Sequence, residues 1–344
     1  MKIAIDKHSI DVVRKDGHEY IYIFDKEPLE KLINTKLHCI YYKNVDYVDI
    51  NLTDYNIDCI KKSNIKEKGY DILPEKKDYK FAIIVPNCNN DHGDYNGKTF
   101  LVNCIDSILN QTYKNFELIF IDDKSEDGSV ATVCHYGDER IHVIKNRRKR
   151  YNGGSRNVGI EYALDNIDFD YFCFLDSDDW WKHNRVLEKI NDRLYNSELM
   201  TLGCEGIGVA YRHFNKATCY EDLYSLNGNV WCTAWSKVIR KDKIVYFCED
   251  TLMEDRVWTY RLADNINFEN VVNLNELVYC WNRTNVNNSV SLVRSKYWDA
   301  CAYCHIGHQL QLITQLKHKE MIPKIEQRIR ECINNVNKGI YMQH

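Results

Sequence analysis

Between Phe81 and Asp176 short apolar runs alternate with helix-like segments, and most of these runs give way to Asn or Asp. FAIIVP at 81–86, FELIFID at 116–122, IHVIK at 141–145 and YFCFLD at 171–176 have the length and β-branched or aromatic content of buried strands. Thr99–Leu109 places Phe100, Cys104, Ile105 and Ile108 on one helical face, and Gly154–Leu164 turns Val158, Tyr162 and Ala163 inward. Ser125 and Asp127 are placed to cap the helix between the second and third strands. This rhythm predicts βαβ units and a mostly parallel sheet, whose ligands lie beyond the C-terminal ends of the strands. Polar residues stand where that rule puts a site: Asn87 to Asn90, Asp122 with Asp123, and Asp176 to Asp179.

At 344 residues the chain exceeds what a single core usually fills, so appendages are expected on either side of this unit. Residues 1–79 alternate short β-like runs (Ile3–Ile5, Tyr20–Phe24, Cys39–Tyr42, Tyr47–Ile50) with charged segments, and read as a small αβ appendage ending in the charged connector Lys61–Lys80. Residues 80–292 form the main domain, in which β-like stretches at Gly206–His213 and Val230–Val238, a polar helix around Asp250–Asp264 and extended Val271–Trp281 cover the sheet. Residues 293–344 read as two helices broken near Pro323.

A formal net charge of −4 supplies no polycationic field, so a polyanion would have to be met by a local patch. The opening MKIAIDKHSIDVV lacks the apolar run of a signal peptide, and no stretch reaches the length of a membrane span. The 14 cysteines are therefore expected to be reduced thiols of a soluble cytoplasmic protein, in the host cytoplasm if the chain is viral. Abundant Lys, Asn, Ile and Tyr beside 4 Pro fits coding by an AT-rich genome.

The strongest chemical signal is Asp176-Ser177-Asp178-Asp179 at the end of an apolar strand. Gathered carboxylates are costly unless a cation or a donor-rich ligand compensates them, and oxygen ligands at this spacing suit Mg²⁺ or Mn²⁺. The plain alternative is a solvated turn capping a helix that starts near Trp180. Asp122-Asp123 repeats the pattern at an earlier strand end. No GxxxxGK[ST] and no strand-linked GxGxxG is present, which removes kinase and dehydrogenase readings.

These segments, in this order, resemble the family 2 glycosyltransferases, which have the GT-A fold. The resemblance rests on FAIIVPNCN (81–89), SILNQTYKNFELIFIDD (107–123) with Ser125–Ser129, GGSRNVG (153–159), the D-x-D-D string 176–179 and MEDR (253–256). It covers residues 81 to about 291 and leaves the flanks aside. The fold it implies is a Rossmann-like, mostly parallel sheet flanked by helices, with the N-terminal αβ appendage and C-terminal helices added. It implies an inverting transfer from a nucleotide sugar, a UDP-sugar, to an acceptor hydroxyl.

By that resemblance Pro86, Cys88 and Asn89 would line the base and ribose pocket, and Asp123 would accept from the uracil imide N–H. Arg156 would meet the diphosphate or the base. Asp176 would hold the ribose side and share the metal, Mn²⁺ or Mg²⁺, with Asp178. Asp255 would be the general base and Glu254 would orient the acceptor; the alternative is a charged surface turn of a helix. Cys88 departs from the aromatic residue usual in that loop. Trp281, Arg283 and Ser289 resemble an element that folds over the diphosphate, Arg283 supplying forked donors. Trp231, Trp235 and Lys237 resemble an acceptor-pocket strand, with simple packing as the alternative.

Lys145-Asn146-Arg147-Arg148-Lys149-Arg150 gathers five cations in six residues. It is either a solvated loop or a grip, through Arg147 and Arg148, for a polyanionic acceptor such as hydroxymethylated DNA, teichoic-acid phosphates or an anionic lipid head group. Other acceptors in view are a glycan and a lipid-linked saccharide. Cys301, Cys304 with His305, and His308 have haem- or zinc-like spacing, but at helical periodicity they fit a packed face better. Two other classes compete. A sugar-phosphate nucleotidyltransferase would need a Gly-rich basic loop after the first strand, which Pro86–Asp91 does not offer. A silent binding module would not need Asp123, Asp178 and Asp255 together.

Overall fold

The computed structural model describes the backbone of five strands before residue 52, and residues 78–148, 151–224, 232–251, 254–284 and 290–338, with side chains from 302 onward in the last stretch. The five early strands are β1 (Lys2–Ile5), β2 (Val12–Val13), β3 (Tyr20–Ile23), β4 (Lys36–Tyr42) and β5 (Val48–Asn51). They form a sheet of their own in the order β2-β3-β1-β4-β5. Most of the connector 61–80 lies outside the described residues, as do Met253, Trp231, Ser289, Lys149 and Arg150.

The main sheet contains β6 (Phe81–Asn87), β7 (Phe116–Asp122), β8 (Ile141–Lys145), β9 (Tyr171–Phe174), β10 (Trp180–Trp181), β11 (Leu199–Ile207), β12 (Arg212–His213), β13 (Lys237–Arg240) and β14 (Val271–Asn282). Its order is β10-β14-β11-β13-β9-β6-β7-β8, with β12 paired to β11. The four strands read from the apolar runs are all present, and β8, β7, β6 and β9 are parallel. Beyond β9 the sheet is mixed rather than parallel. The short β13 runs antiparallel between β9 and β11, β14 is parallel to β11, and β10 and β12 are antiparallel additions.

Helices cover both faces, so β6, β7 and β9 read as unbroken apolar runs. Within each strand alternate residues serve opposite layers. Ile84, Ile121 and Phe174 pack with α3 (Asn152–Asn166), α5 (Glu254–Asn265), α6 (Val290–Gln315) and α7 (Ile322–Asn337). Ile83, Phe120 and Cys173 pack with α1 (Phe100–Leu109), α2 (Ser129–His135) and α4 (Val186–Leu194). Thr99 caps α1 through its hydroxyl, which accepts the Val102 N–H. Asp127 takes the Ser129 N–H at the start of α2, whereas Ser125 turns to the β6 loop instead. Trp180 does not open a helix; it begins β10, and α4 starts at Val186.

Because β6 lies between β7 and β9, the connections leave it in opposite directions and a crevice opens at its C-terminal end. Helix α3 lies directly over this point. It starts at Asn152, and its buried side is led by Ile160 and Ala163, with Val158 and Tyr162 half-buried. Two glycines permit the approach. A Cβ on Gly159 would stand 2.8 Å from both Ile121 Cδ1 and Ile84 Cγ2, and one on Gly153 would stand 2.2 Å from the Cys248 carbonyl oxygen. Gly159→Val should therefore overpack the layer and lower stability by about 1–3 kcal/mol, read as a shifted denaturant midpoint with unchanged slope.

Candidate active site

The turn after β9 is held from three sides. Asp179 is buried, and its carboxylate accepts the Tyr279 hydroxyl at 2.6 Å and the Asn282 N–H at 2.7 Å, both from the end of β14. Burial, with Asp178 and Asp176 close by, pushes the Asp179 carboxyl well above the usual range. Ser177 accepts from the Asn90 side chain at 2.7 Å, tying the turn to the loop after β6. Asp176 and Asp178 keep partial exposure at the crevice.

Asp176 Oδ1 accepts from Arg156 Nη2 at 2.7 Å, while Arg156 Nη1 reaches Glu254 Oε1 at 2.9 Å and Asp255 Oδ1 at 3.3 Å. One guanidinium from the first turns of α3 thus joins the end of β9 to the start of α5. Its side chain is 2% exposed. Burial opposes its charge, but Asp255, Asp176 and Glu254 together outweigh that and hold it firmly protonated. Its Nε has no hydrogen-bond partner among the described residues, and the Phe247 ring lies 5.4 Å from the guanidinium carbon. Arg156 is therefore occupied with acids, not turned toward a diphosphate or base as the resemblance implied.

Glu254 is buried, whereas Asp255 retains 21% of its side-chain surface. The dense surroundings still dominate Asp255. Burial pushes its carboxyl up to about 7, Arg156 pulls against this, and Glu254 and Asp176 push with it. A part-exposed carboxylate near neutrality is suited to accepting a proton from a hydroxyl.

At the ends of β6 and β7 the polar side chains bond mainly to one another. Asn87 Nδ2 and the Asn89 N–H both donate to Ser125 Oγ, at 3.0 and 3.1 Å. Asn89 has φ +55°, a left-handed conformation that Asn tolerates, and its side-chain oxygen accepts the Glu126 N–H. Pro86 is buried as part of β6, and Cys88 is half-buried beyond it. Asp123 is buried and accepts from Asn146 Nδ2 at 3.0 Å, the same amide that also reaches Ser155 Oγ. These positions lie at the C-terminal ends of β6 and β7, and Asn90 ties the loop after β6 to the turn that carries Asp176 and Asp178.

Other expected site residues lie elsewhere or are committed to packing. Trp235 is 3% exposed and stacks on Tyr279 at 4.2 Å, so no sugar can lie on that face. Lys237 is buried; its ammonium donates to the Thr233 carbonyl and Ser236 Oγ, and burial lowers its pKa to about 8. Both take the packing role. Arg148 forks onto Glu161 and also pairs with Glu249 at 2.6 Å, which neutralises the centre of the basic run, while Arg147 stays exposed. Asn146, inside that run, is a buried structural amide. Arg283 is exposed with its guanidinium 4.4 Å over the Trp281 ring. The Cys301 side chain lies outside the described residues; His308 pairs with Asp250 at 2.5 Å rather than with Cys304. The sequence reading did not single out Tyr279, Asn282 or Ser177. Only the run of polar and aromatic residues closing β14 hinted at the first two.

The residues fit a divalent ion in one way. Among the described residues no three His, Cys, Asp or Glu side chains form a cage. Mg²⁺ and Mn²⁺ are commonly held by one or two carboxylates plus substrate phosphates, and Asp178 with Asp176 provides such hard oxygen donors at an open edge.

Residues 82–246 match the family model described as glycosyl transferase family 2. The chain is 31% identical over 119 residues to the amylovoran biosynthesis glycosyltransferase AmsB of Erwinia amylovora, covering 33% of this chain and 36% of that protein. It is 34% identical over 120 residues to the UDP-Glc:alpha-D-GlcNAc-diphosphoundecaprenol beta-1,3-glucosyltransferase WfgD of Escherichia coli, covering 35% and 43%. The matched stretches thus span less than half of these relatives. Among solved structures, S. aureus TarS 1-349 in complex with UDP superposes with TM-score 0.52 at 18% identity over 74% of this chain and 71% of that one. The mannosyltransferase PcManGT of Pyrobaculum calidifontis, in complex with GDP-Man and Mn²⁺, gives TM-score 0.50 at 12% identity, covering 76% and 73%. These similarities establish the GT-A fold.

Replacing Arg156 by Met would leave its acids buried without their common cation. A loss of about 3–5 kcal/mol is expected at pH 8. The loss should be smaller at pH 5, where Asp255, with its raised pKa, is already protonated and no longer needs a cation. Urea denaturation at the two pH values measures both.

Proposed function

Since the segment 82–246 belongs to glycosyl transferase family 2, we propose that the protein is an inverting, divalent-metal-dependent transferase. It moves a sugar from UDP to an acceptor hydroxyl, with residues 80–292 as the catalytic domain and the N-terminal sheet and C-terminal helices as additions to it. The observation that carries the reading is the Arg156 clamp, which puts the part-exposed Asp255 at the same crevice as the acids following β9.

In the proposed reaction Asp123 accepts from the uracil imide N–H at the end of β7, and Pro86, Cys88 and Asn89 form the adjoining wall. Arg283 donates to diphosphate oxygens. A divalent ion held by Asp178 and Asp176 would neutralise the charge that develops on the departing diphosphate. Asp255 receives the acceptor's hydroxyl proton as its oxygen attacks C1, and the C1–O bond to UDP breaks in the same displacement. Glu254, fixed by Arg156, keeps Asp255 turned toward the acceptor. Arg156 acts as a positioning residue, since its donors already face carboxylates.

A saccharide acceptor is favoured over DNA. The basic run that would have gripped a DNA backbone has its central Arg148 tied to Glu161 and Glu249. The relative WfgD is named as a glucosyltransferase acting on alpha-D-GlcNAc-diphosphoundecaprenol.

Asp178→Ala should abolish the Mn²⁺-dependent part of UDP binding in calorimetry; unchanged affinity would remove the metal assignment. Asp255→Asn should keep UDP affinity and lose transfer by at least about a hundredfold, the scale of a lost general base. In the unaltered enzyme kcat should rise with pH through about 7 as Asp255 becomes ionised, and the variant's residual rate should lack that rise. A pH-independent rate in the unaltered enzyme would remove Asp255 as base.

A further inference from the structure

We propose that Lys237 is a positioning residue of the transfer: its buried ammonium, seated on the side of α5 that carries Asp255, holds that carboxylate in the ionised form that receives the acceptor's proton. The proposal rests on the glycosyl-transfer reading above and adds a residue that reading does not use.

Packing places the lysine. Trp258 and Thr259 stand three and four residues after Asp255 in α5, so all three share one side of the helix. The Thr259 hydroxyl donates to the Cys232 carbonyl at 2.8 Å, and the Lys237 ammonium lies 5.7 Å from the centre of the Trp258 ring, so the chain entering β13 is laid along that side. Trp258 in turn stacks on Phe247 at 4.5 Å, within 8° of parallel, and the Arg156 guanidinium carbon lies 5.4 Å from the Phe247 ring. Lys237 and Arg156 thus both lie against one stacked ring pair, and both act on Asp255.

The two cations are held differently. Arg156 is divided among Asp176, Glu254 and Asp255. The Lys237 ammonium, on a residue 1% exposed, donates to the Thr233 carbonyl and to Ser236 Oγ, which are neutral. Such acceptors solvate a charge without cancelling it, and in a poorly solvated interior its field reaches past its hydrogen bonds. Burial closes Lys237 to an acceptor, and it neither gives nor takes a proton in the transfer; its effect is electrostatic. The groups acting on Asp255 are Arg156 from α3, Glu254 beside it, Asp176 after β9 and Lys237 from β13, and those acting on Lys237 are Asp255 and the Cys232 thiol. Burial lowers the lysine's own pKa to about 8, and below that pH it is charged and favours the ionised Asp255. Removing the charge therefore moves the ionisation of Asp255, and the rise in kcat with it, to higher pH.

The test is carbon NMR of the full chain, free of metal and labelled at the aspartate carboxyl carbons, the Asp255 signal being the one missing from Asp255→Asn. In the unaltered protein this carboxyl should titrate near 7. In Lys237→Met, which keeps the bulk of the side chain without its charge, the midpoint should rise by at least about half a unit, a roughly threefold change in proton affinity, and it should return in Lys237→Arg. UDP affinity should be the same in all three; where the Met variant loses it through misfolding, Lys237→Gln supplies the same reading. In hydrolysis of UDP-glucose with Mn²⁺, kcat of Lys237→Met should be at least about threefold low near pH 6 and should meet that of the unaltered enzyme above about pH 9, with KM unchanged. An unmoved midpoint overturns the proposal, as does a rate deficit that persists at high pH, the mark of a merely structural role. A midpoint in the ordinary carboxylate range for the unaltered protein would instead strike Asp255 as the base, whereas one near 7 that is indifferent to Lys237 rejects the lysine alone.

Discussion

A single buried guanidinium organises the centre of this protein. Arg156 sits among Asp176, Glu254 and Asp255, which come from the end of a strand and the start of a helix far downstream. Like charges gathered in a low-dielectric interior repel strongly unless a cation lies between them. Burial, helped by Glu254 and Asp176 and opposed by Arg156, pushes the part-exposed Asp255 up to about 7 instead of leaving it in the usual carboxylate range. Placing Arg156 there brings α3 close to β6 and β7 at Gly159, and close to the Cys248 carbonyl and Glu254 at Gly153. The glycines of GGSRNVG are thus packing residues that deliver an arginine.

A second tie works through neutral and shared hydrogen bonds. Asp179 takes donors from Tyr279 and Asn282, and Tyr279 is itself pinned by the stacked Trp235. The turn carrying Asp176 and Asp178 is therefore fixed to β14 on one side and, through Ser177 and Asn90, to the β6 loop on the other. Rigid support of this kind leaves the exposed carboxylates pre-oriented, the condition under which charge stabilisation is most effective. Trp235, for which the resemblance implied an acceptor contact and packing was the alternative, serves this support.

The legible and illegible parts of the sequence divide along a physical line. Strands β6, β7, β8 and β9 were visible because burial on both faces forces continuous apolar runs, and α1 because one face of its 3.6 period is apolar. The strand-end acids were visible because charge after an apolar run is rare. What sequence cannot display is which charges meet. Arg148 looks like the heart of a basic patch until Glu161 and Glu249 are seen beside it. Arg156 looks like a phosphate ligand until its three acids converge. The antiparallel direction of β13 was also hidden, since a four-residue strand inserted between β9 and β11 has too little pattern to announce it.

The occupation of Arg156 constrains any reaction at this crevice. A guanidinium whose terminal nitrogens already bond three carboxylates cannot also neutralise a diphosphate without releasing them, and each released acid would then lie in a poorly solvated site. In the proposed transfer the diphosphate charge must therefore be met from outside the clamp. The exposed Arg283 and a hard cation on Asp178 are the groups suited to that task. On that proposal Arg156 stays with Asp255, and the leaving-group and acceptor sides of the site would be kept electrostatically apart while sharing Asp176, which Arg156 also holds.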